Sequence, residues 1–107
     1  MTYAQKLRDP RWQKKRLRIF ERDGWACCCC HSKNKNLQVH HLVYRKLDPW
    51  DYDDAVLQTL CDECHEIRQE LTDKVVDALR LALKDIPTTR LERVAKRLCA
   101  EAMEGLV

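Results

Sequence analysis

Residues 57–65 read Leu57-Gln58-Thr59-Leu60-Cys61-Asp62-Glu63-Cys64-His65: a short apolar run, a Cys-x-x-Cys pair, and a histidine directly behind it. A second such pair, Cys27/Cys30, lies upstream inside an unbroken run of four cysteines, and the dipeptide His40-His41 falls between the two pairs. Cysteines at i and i+3 flank a tight turn that aims both sulfurs, and nearby backbone N–H groups, at one ion. Four thiolates in this spacing therefore suit a closed, tetrahedral, structural zinc. Three imidazoles remain beside that centre. They suit a second divalent ion with open coordination positions, as a hydrolytic centre requires.

The cysteine run admits two registers. Cys27/Cys30 with Cys61/Cys64 makes a homogeneous four-cysteine centre, whereas Cys28/His31 would make one of three cysteines and a histidine. The first is preferred, with Cys28 and Cys29 as spectators. His31 then follows the knuckle, where the backbone tends towards positive φ and histidine tolerates it better than most residues.

His40 and His41 divide the work between them. Neighbouring side chains on a strand point to opposite faces, so the two cannot easily ligate one ion. With His40 and His65 holding a divalent ion, His41 is free to sit beside a water and accept its proton, since an imidazole titrates near neutral pH. The plainer reading is that one of them completes a zinc shell or fills a core position.

A chain of 107 residues is one domain, and a domain of this size gains from a metal staple because it buries little apolar surface. Its seven cysteines are an odd number, with no signal-like apolar run near Met1 and no apolar stretch near the length of a membrane span. A cytoplasmic protein in a reducing compartment is expected, without a membrane partner; a disulfide framework is the alternative.

The formal charge is +3, but four thiolates on a zinc dication would add about −2, so distribution matters more than the total. Residues 1–22 carry Lys6, Arg8, Arg11, Lys14, Lys15, Arg16, Arg18 and Arg22 against Asp9 and Glu21, while residues 48–66 carry seven acidic residues and no Lys or Arg. A basic arm beside a metal site suits a phosphate backbone, with Lys14, Lys15 and Arg18 as the DNA-docking residues. The alternative is a solvated helix face.

Asp9-Pro10 predicts a helix start and Asp23-Gly24 its end, with Trp12, Leu17 and Phe20 on one side. Leu37-Gln38-Val39 alternates like a strand leading into His40-His41, Val56–Leu60 is a second short run, and a helix begins near Cys61. Val75, Val76, Leu79, Leu83 and Ile86, then Leu91, Val94, Leu98, Ala102 and Leu106, predict two amphipathic helices broken near Pro87, with Thr89 and Glu92 as a capping box. This helical hairpin is expected to pack on the core, or else to form a homodimer or protein-partner seam. Cys99 beside the stripe is expected to be a small buried residue.

The segments Arg22-Asp23-Gly24-Trp25-x-Cys27-x-x-Cys30, Leu37-x-Val39-His40-His41, Tyr44, Pro49-Trp50-x-Tyr52 and Leu57-x-Thr59-Leu60-Cys61-x-x-Cys64-His65 together resemble an HNH endonuclease, a member of the ββα-metal superfamily. The resemblance is to the zinc-stapled kind found in small phage and bacterial proteins, and it covers residues 22–65. It implies an α+β fold: a small ββα-metal (HNH) core with a four-cysteine structural zinc, an N-terminal helix and a C-terminal helical hairpin. One domain spans 1–107, with the core at 9–70 and the helical extension at 71–107.

By the same resemblance, His40 and His65 match metal ligands, His41 the general base, and Cys27, Cys30, Cys61 and Cys64 the zinc shell. The catalytic ion would be Mg2+, Mn2+ or another divalent ion. The family's third ligand, one helical turn past the last histidine, corresponds to Gln69, a neutral oxygen donor acceptable to Mg2+ or Mn2+, with Glu66 and Glu70 as other candidates. Where the family has a central Asn this chain has Val56, with Asp53 and Asp54 nearby. Tyr44 and Arg45, just after the base, either contact the phosphate or serve loop packing. The implied activity is metal-dependent hydrolysis of DNA phosphodiester bonds in a bacterial or phage-infected cell. The alternative is a non-catalytic zinc module that binds nucleic acid or a protein.

Overall fold

In the computed structural model, which describes residues 1–102, the chain starts on a short helix, α1 (Tyr3–Arg8), that the apolar pattern does not announce. Its signal is the spacing Thr2-x-x-Gln5. The Gln5 N–H donates to the Thr2 hydroxyl at 3.2 Å and the Thr2 N–H to the Gln5 side-chain oxygen at 2.8 Å, so two otherwise orphaned donors are satisfied reciprocally. Asp9 then caps α2 (Pro10–Arg22), accepting from the Arg11 N–H at 2.8 Å, with Pro10 in the first turn.

The buried face of α2 is Trp12, Lys15, Ile19 and Phe20. Leu17, expected on that face, is exposed. At 3.6 residues per turn it lies about 140° around the helix from Trp12, whereas Ile19, seven residues on from Trp12, returns almost to the same line.

The end of α2 is tied by two backbone bonds, Gly24 N–H to Glu21 O at 3.2 Å and Trp25 N–H to Phe20 O at 2.9 Å. Gly24 turns through φ +69°, where a Cβ would be strained. The Phe20 and Trp25 rings meet at 5.3 Å, the apolar contact that usually accompanies this helix stop.

Two strands follow, β1 (Leu37–His41) and β2 (Leu57–Cys61), paired antiparallel from Leu37↔Cys61 at one end to His41↔Leu57 at the other. A lone two-stranded sheet is marginal in water. Here α2 grips it. Arg22 donates to the backbone oxygens of Asp54 and Leu57, each at 2.6 Å, while Asp23 accepts from Arg22 and from the buried Thr59 N–H at 3.0 Å. The Arg22-Asp23-Gly24 motif is thus a clamp between helix and strand.

The opposite charge runs turn out to be partners. Lys6 pairs with Asp48 at 2.7 Å; Arg18 grips Asp54 with two bonds of 3.0 and 2.7 Å; Lys15 pairs with Asp54 at 3.3 Å and donates to the Tyr52 carbonyl. The expectation that Lys15 docks DNA is therefore corrected: it is buried, and its ammonium is held by protein oxygens. Arg18 is committed to Asp54 in the same way. Lys14 is exposed and has no ion pair among the described residues.

The chain divides into two compact units, one over Met1–Ile67 and one beginning at Arg68. Helix α3 (Asp62–Ala82) starts in the first and ends in the second, and α4 (Thr88–Ala102) lies in the second. No residue of α3 or α4 is fully buried. Leu71, Val75, Leu79, Val94 and Leu98 expose about half of their surface, so the expected burial of the helical stripes is not found. Cys99 is exposed as well, not buried. Leu106 lies outside the described residues. Among the described residues no helix is long and apolar enough to cross a membrane.

Candidate metal centre and histidine cleft

The sulfurs of Cys27, Cys30, Cys61 and Cys64 all lie within 4.8 Å of one another. Zn–S bonds of about 2.3 Å arranged tetrahedrally place neighbouring sulfurs about 3.8 Å apart, and Cys30 Sγ and Cys61 Sγ stand at 3.8 Å. Both knuckles aim backbone donors at their first sulfur. The N–H groups of Cys29 and Cys30 lie 3.4 and 3.5 Å from Cys27 Sγ, and that of Cys64 lies 3.4 Å from Cys61 Sγ.

Such donors favour the thiolate. Burial pushes the Cys27 thiol up, yet the backbone N–H groups of Cys30, Cys61 and Cys29 outweigh it and bring it down to about 6. Cys64 is pushed the other way, by its hydrogen bond with Cys61 and by burial. Sulfurs this close compete for protons, and a dication resolves the competition by taking all four as thiolates. The cluster fits a structural metal such as zinc.

The register is also visible. Cys28 donates its N–H to Thr59 O at 2.9 Å, and burial raises its thiol beside Asp23. His31 takes φ +65° just after the knuckle, with its N–H on Cys27 O at 2.9 Å. All seven cysteines are free of disulfides.

At the far end of the sheet, His40 and His41 face opposite ways, as alternation demands. The His40 ring meets that of His65, in the first turn of α3, edge-on at 4.9 Å. Among the described residues the four cysteines are the one group of three or more His, Cys, Asp or Glu side chains close enough to share an ion, so His40 and His65 come as a pair. Gln69 is half-buried, one turn further along α3.

His41 sits in an aromatic cage that was not foreseen from the sequence. Trp12 stacks on it at 5.5 Å, Tyr44 at 6.1 Å, and Tyr52 meets it edge-on at 4.7 Å. Burial here lowers the His41 pKa, which favours the neutral imidazole. Its ring is held by a hydrogen bond to the Pro49 carbonyl, while its buried Nε2 has no hydrogen-bond partner among the described residues.

Val56, where the resemblance would place an Asn, is buried. Its carbonyl accepts the Leu42 N–H at 2.8 Å, which ties the residue after His41 to the turn before β2. Asp53 and Asp54 are occupied elsewhere: Asp53 caps the turn Asp54–Val56 at the Ala55 N–H, 2.8 Å, and Arg18 and Lys15 hold Asp54, with Arg18 foremost in lowering its pKa.

Two clefts meet at this cage. One, of about 330 Å³, runs between His41 and His65 and is lined also by Tyr3, Trp12, Arg16 and Tyr44. The other, of about 470 Å³, lies across Tyr44 and is lined by Tyr3, His41, Tyr44, Arg45, Leu47, Pro49 and Tyr52. Arg16 is a cleft residue that charge counting alone did not single out; its guanidinium lies over Phe20 at 4.8 Å. The Tyr52 hydroxyl fixes the loop by donating to Arg45 O at 2.7 Å and accepting the Arg45 N–H at 2.8 Å. No family model, curated protein or solved structure matches this chain.

Proposed function

We propose that the protein is a zinc-stapled, HNH-type endonuclease that hydrolyses DNA phosphodiester bonds. The observation that carries this reading is the juxtaposition at one end of the sheet: His40 and His65 ring to ring at 4.9 Å, and beside them a caged His41 whose Nε2 is unpartnered among the described residues. Two imidazoles at this separation suit a divalent ion, with water and phosphate oxygens filling the remaining positions. Such an ion would polarise the scissile phosphate and neutralise the leaving 3′ oxygen.

His41 is the general base of this reading and takes the proton of the attacking water. Trp12, Tyr44 and Tyr52 pack around its ring and hold its orientation. Arg16, in the same cleft as His41 and His65, neutralises a phosphate oxygen. Lys14, Tyr44 and Arg45 contact the backbone on either side.

A second reading, a non-catalytic zinc module that binds nucleic acid or a protein, draws on the ligand pair without a third acidic, cysteine or histidine side chain and on the apolar Val56. One experiment separates the two. Zinc-loaded protein is incubated with supercoiled plasmid and Mg2+ or Mn2+, with and without chelator, alongside His41→Ala. Chelator-sensitive nicking, reduced roughly 10²–10⁴-fold in His41→Ala at unchanged zinc content, is expected. Plasmid left intact under every divalent ion would leave the binding module standing.

A further inference from the structure

The nuclease reading leaves the larger cleft, across Tyr44 from His65, without a task. We propose that it receives an unpaired nucleobase of a DNA strand whose phosphate lies in the neighbouring His41–His65 cleft. The identity of that phosphate site rests on the reading above.

Three observations converge on this occupant. Tyr3, His41 and Tyr44 line both clefts, so a strand held at one passes the mouth of the other. The cleft, at about 470 Å³, falls within the range of small-ligand pockets, about 300–1,000 Å³, and its walls are those of a base site. Tyr3 and Tyr44 present rings, and Leu47 and Pro49 close the side. A phosphate gains nothing from such walls, whereas every base has a π-face that stacks on them.

The exposure of those rings is the third observation. Tyr3 and Tyr44 are 62% and 63% exposed, so most of each side chain lies outside the core. Arg45, at the rim, supplies a cation for the flanking backbone and a planar face for stacking.

The geometry excludes an intact duplex from this cleft, because paired bases are already stacked. A base enters only after leaving the helix, which costs least at a single strand, a mismatch or a gap. The site therefore selects single-stranded or locally unpaired DNA over regular duplex.

Binding without chemistry tests this. The full chain, zinc-loaded and free of other divalent ions, is titrated by fluorescence anisotropy into a labelled thymidine single strand, the same strand carrying abasic sites, and a regular duplex. The thymidine strand should bind about 5- to 150-fold tighter than the abasic one. Tyr3→Ala and Tyr44→Ala should each erode that difference, and Tyr3→Phe and Tyr44→Phe should keep it. The salt dependence should stay unchanged in all four, since no cationic side chain is lost.

Equal affinity for the thymidine and abasic strands would overturn the proposal, as would preference for duplex, an unaltered base preference in the Tyr3→Ala/Tyr44→Ala double variant, or no binding of any strand. Failure of the nuclease reading looks different: no divalent-dependent cleavage, with the base preference intact.

Discussion

The cysteine cluster and the histidine cleft lie on the same two-stranded sheet, yet they are built on opposite plans. The cluster takes its four ligands from two local turns, each carrying its own N–H···S bonds. The cleft draws Tyr3 from α1, Trp12 from α2, His41 from β1, and Tyr44, Pro49 and Tyr52 from the connecting loop. A centre of the first kind organises itself once metal arrives. One of the second kind exists only after the surrounding fold is in place, so the cluster should govern folding and the cleft should govern function.

That division is broken most easily at the zinc. Removing the metal, or replacing Cys61 by Ser, should unfold the Met1–Ile67 unit, because the free energy of zinc binding in such a domain is folding free energy. Trp12, Trp25 and Trp50 are the chain's three tryptophans and all belong to that unit, so tryptophan fluorescence reports on it directly. Cys30→Ser should lose the metal, and Cys28→Ser should retain it. Cys99→Ser, at an exposed position, should change stability by less than about 0.5 kcal/mol. Zinc retained in Cys30→Ser but lost in Cys28→Ser would shift the register by one residue.

The same contrast explains what the sequence disclosed. Cys-x-x-Cys spacing fixes geometry over four residues, so the cysteine cluster was legible, as were the Asp9-Pro10 helix start, the Gly24 stop and the first strand. The cleft was legible only in its histidines. That Trp12 stacks on His41 depends on how α2 crosses the sheet, which no local pattern encodes. Lys15 was misread for the same reason: a lysine on a basic helix looks solvated until the 48–54 segment, with its Asp54 and Tyr52 carbonyl, closes over it. Leu17 was placed on the buried face that Ile19 occupies instead, because the face of a helix depends on where its register starts.

A smaller effect is expected at Val56, where the two plans touch. Replacing Val56 by Asn, the residue that the resemblance would put there, would place an amide where Val56 is 8% exposed. Since the Pro49 carbonyl already holds His41, the amide has no obvious partner to orient. Val56→Asn should therefore cost about 1–3 kcal/mol in urea unfolding and should not raise the rate of plasmid nicking. Faster nicking would show that the Pro49 bond holds the imidazole less firmly than a side-chain amide does.

A comparably modest effect lies in the clamp between α2 and β2, and its pH dependence gives it a signature. Burial alone would raise the Asp23 pKa, but the bonds from Arg22 and from the Thr59 N–H prevail and lower it to about 2 from an ordinary 3.8. A carboxyl whose pKa is depressed on folding contributes stability that is complete above the unfolded value and is lost as pH falls through the folded one. The Asp23 side chain is 11% exposed, so solvent screens little of this, and Asp23→Asn should cost about 1–2 kcal/mol at neutral pH. Wild type and Asp23→Asn are compared by urea unfolding at matched pH, so that acid release of zinc, common to both, cancels. The difference between them should be level from about pH 7 to pH 5, then shrink between about pH 4 and pH 2. A difference that persists unchanged to pH 2 would mean that Asp23 acts through its shape in the clamp and not through its charge.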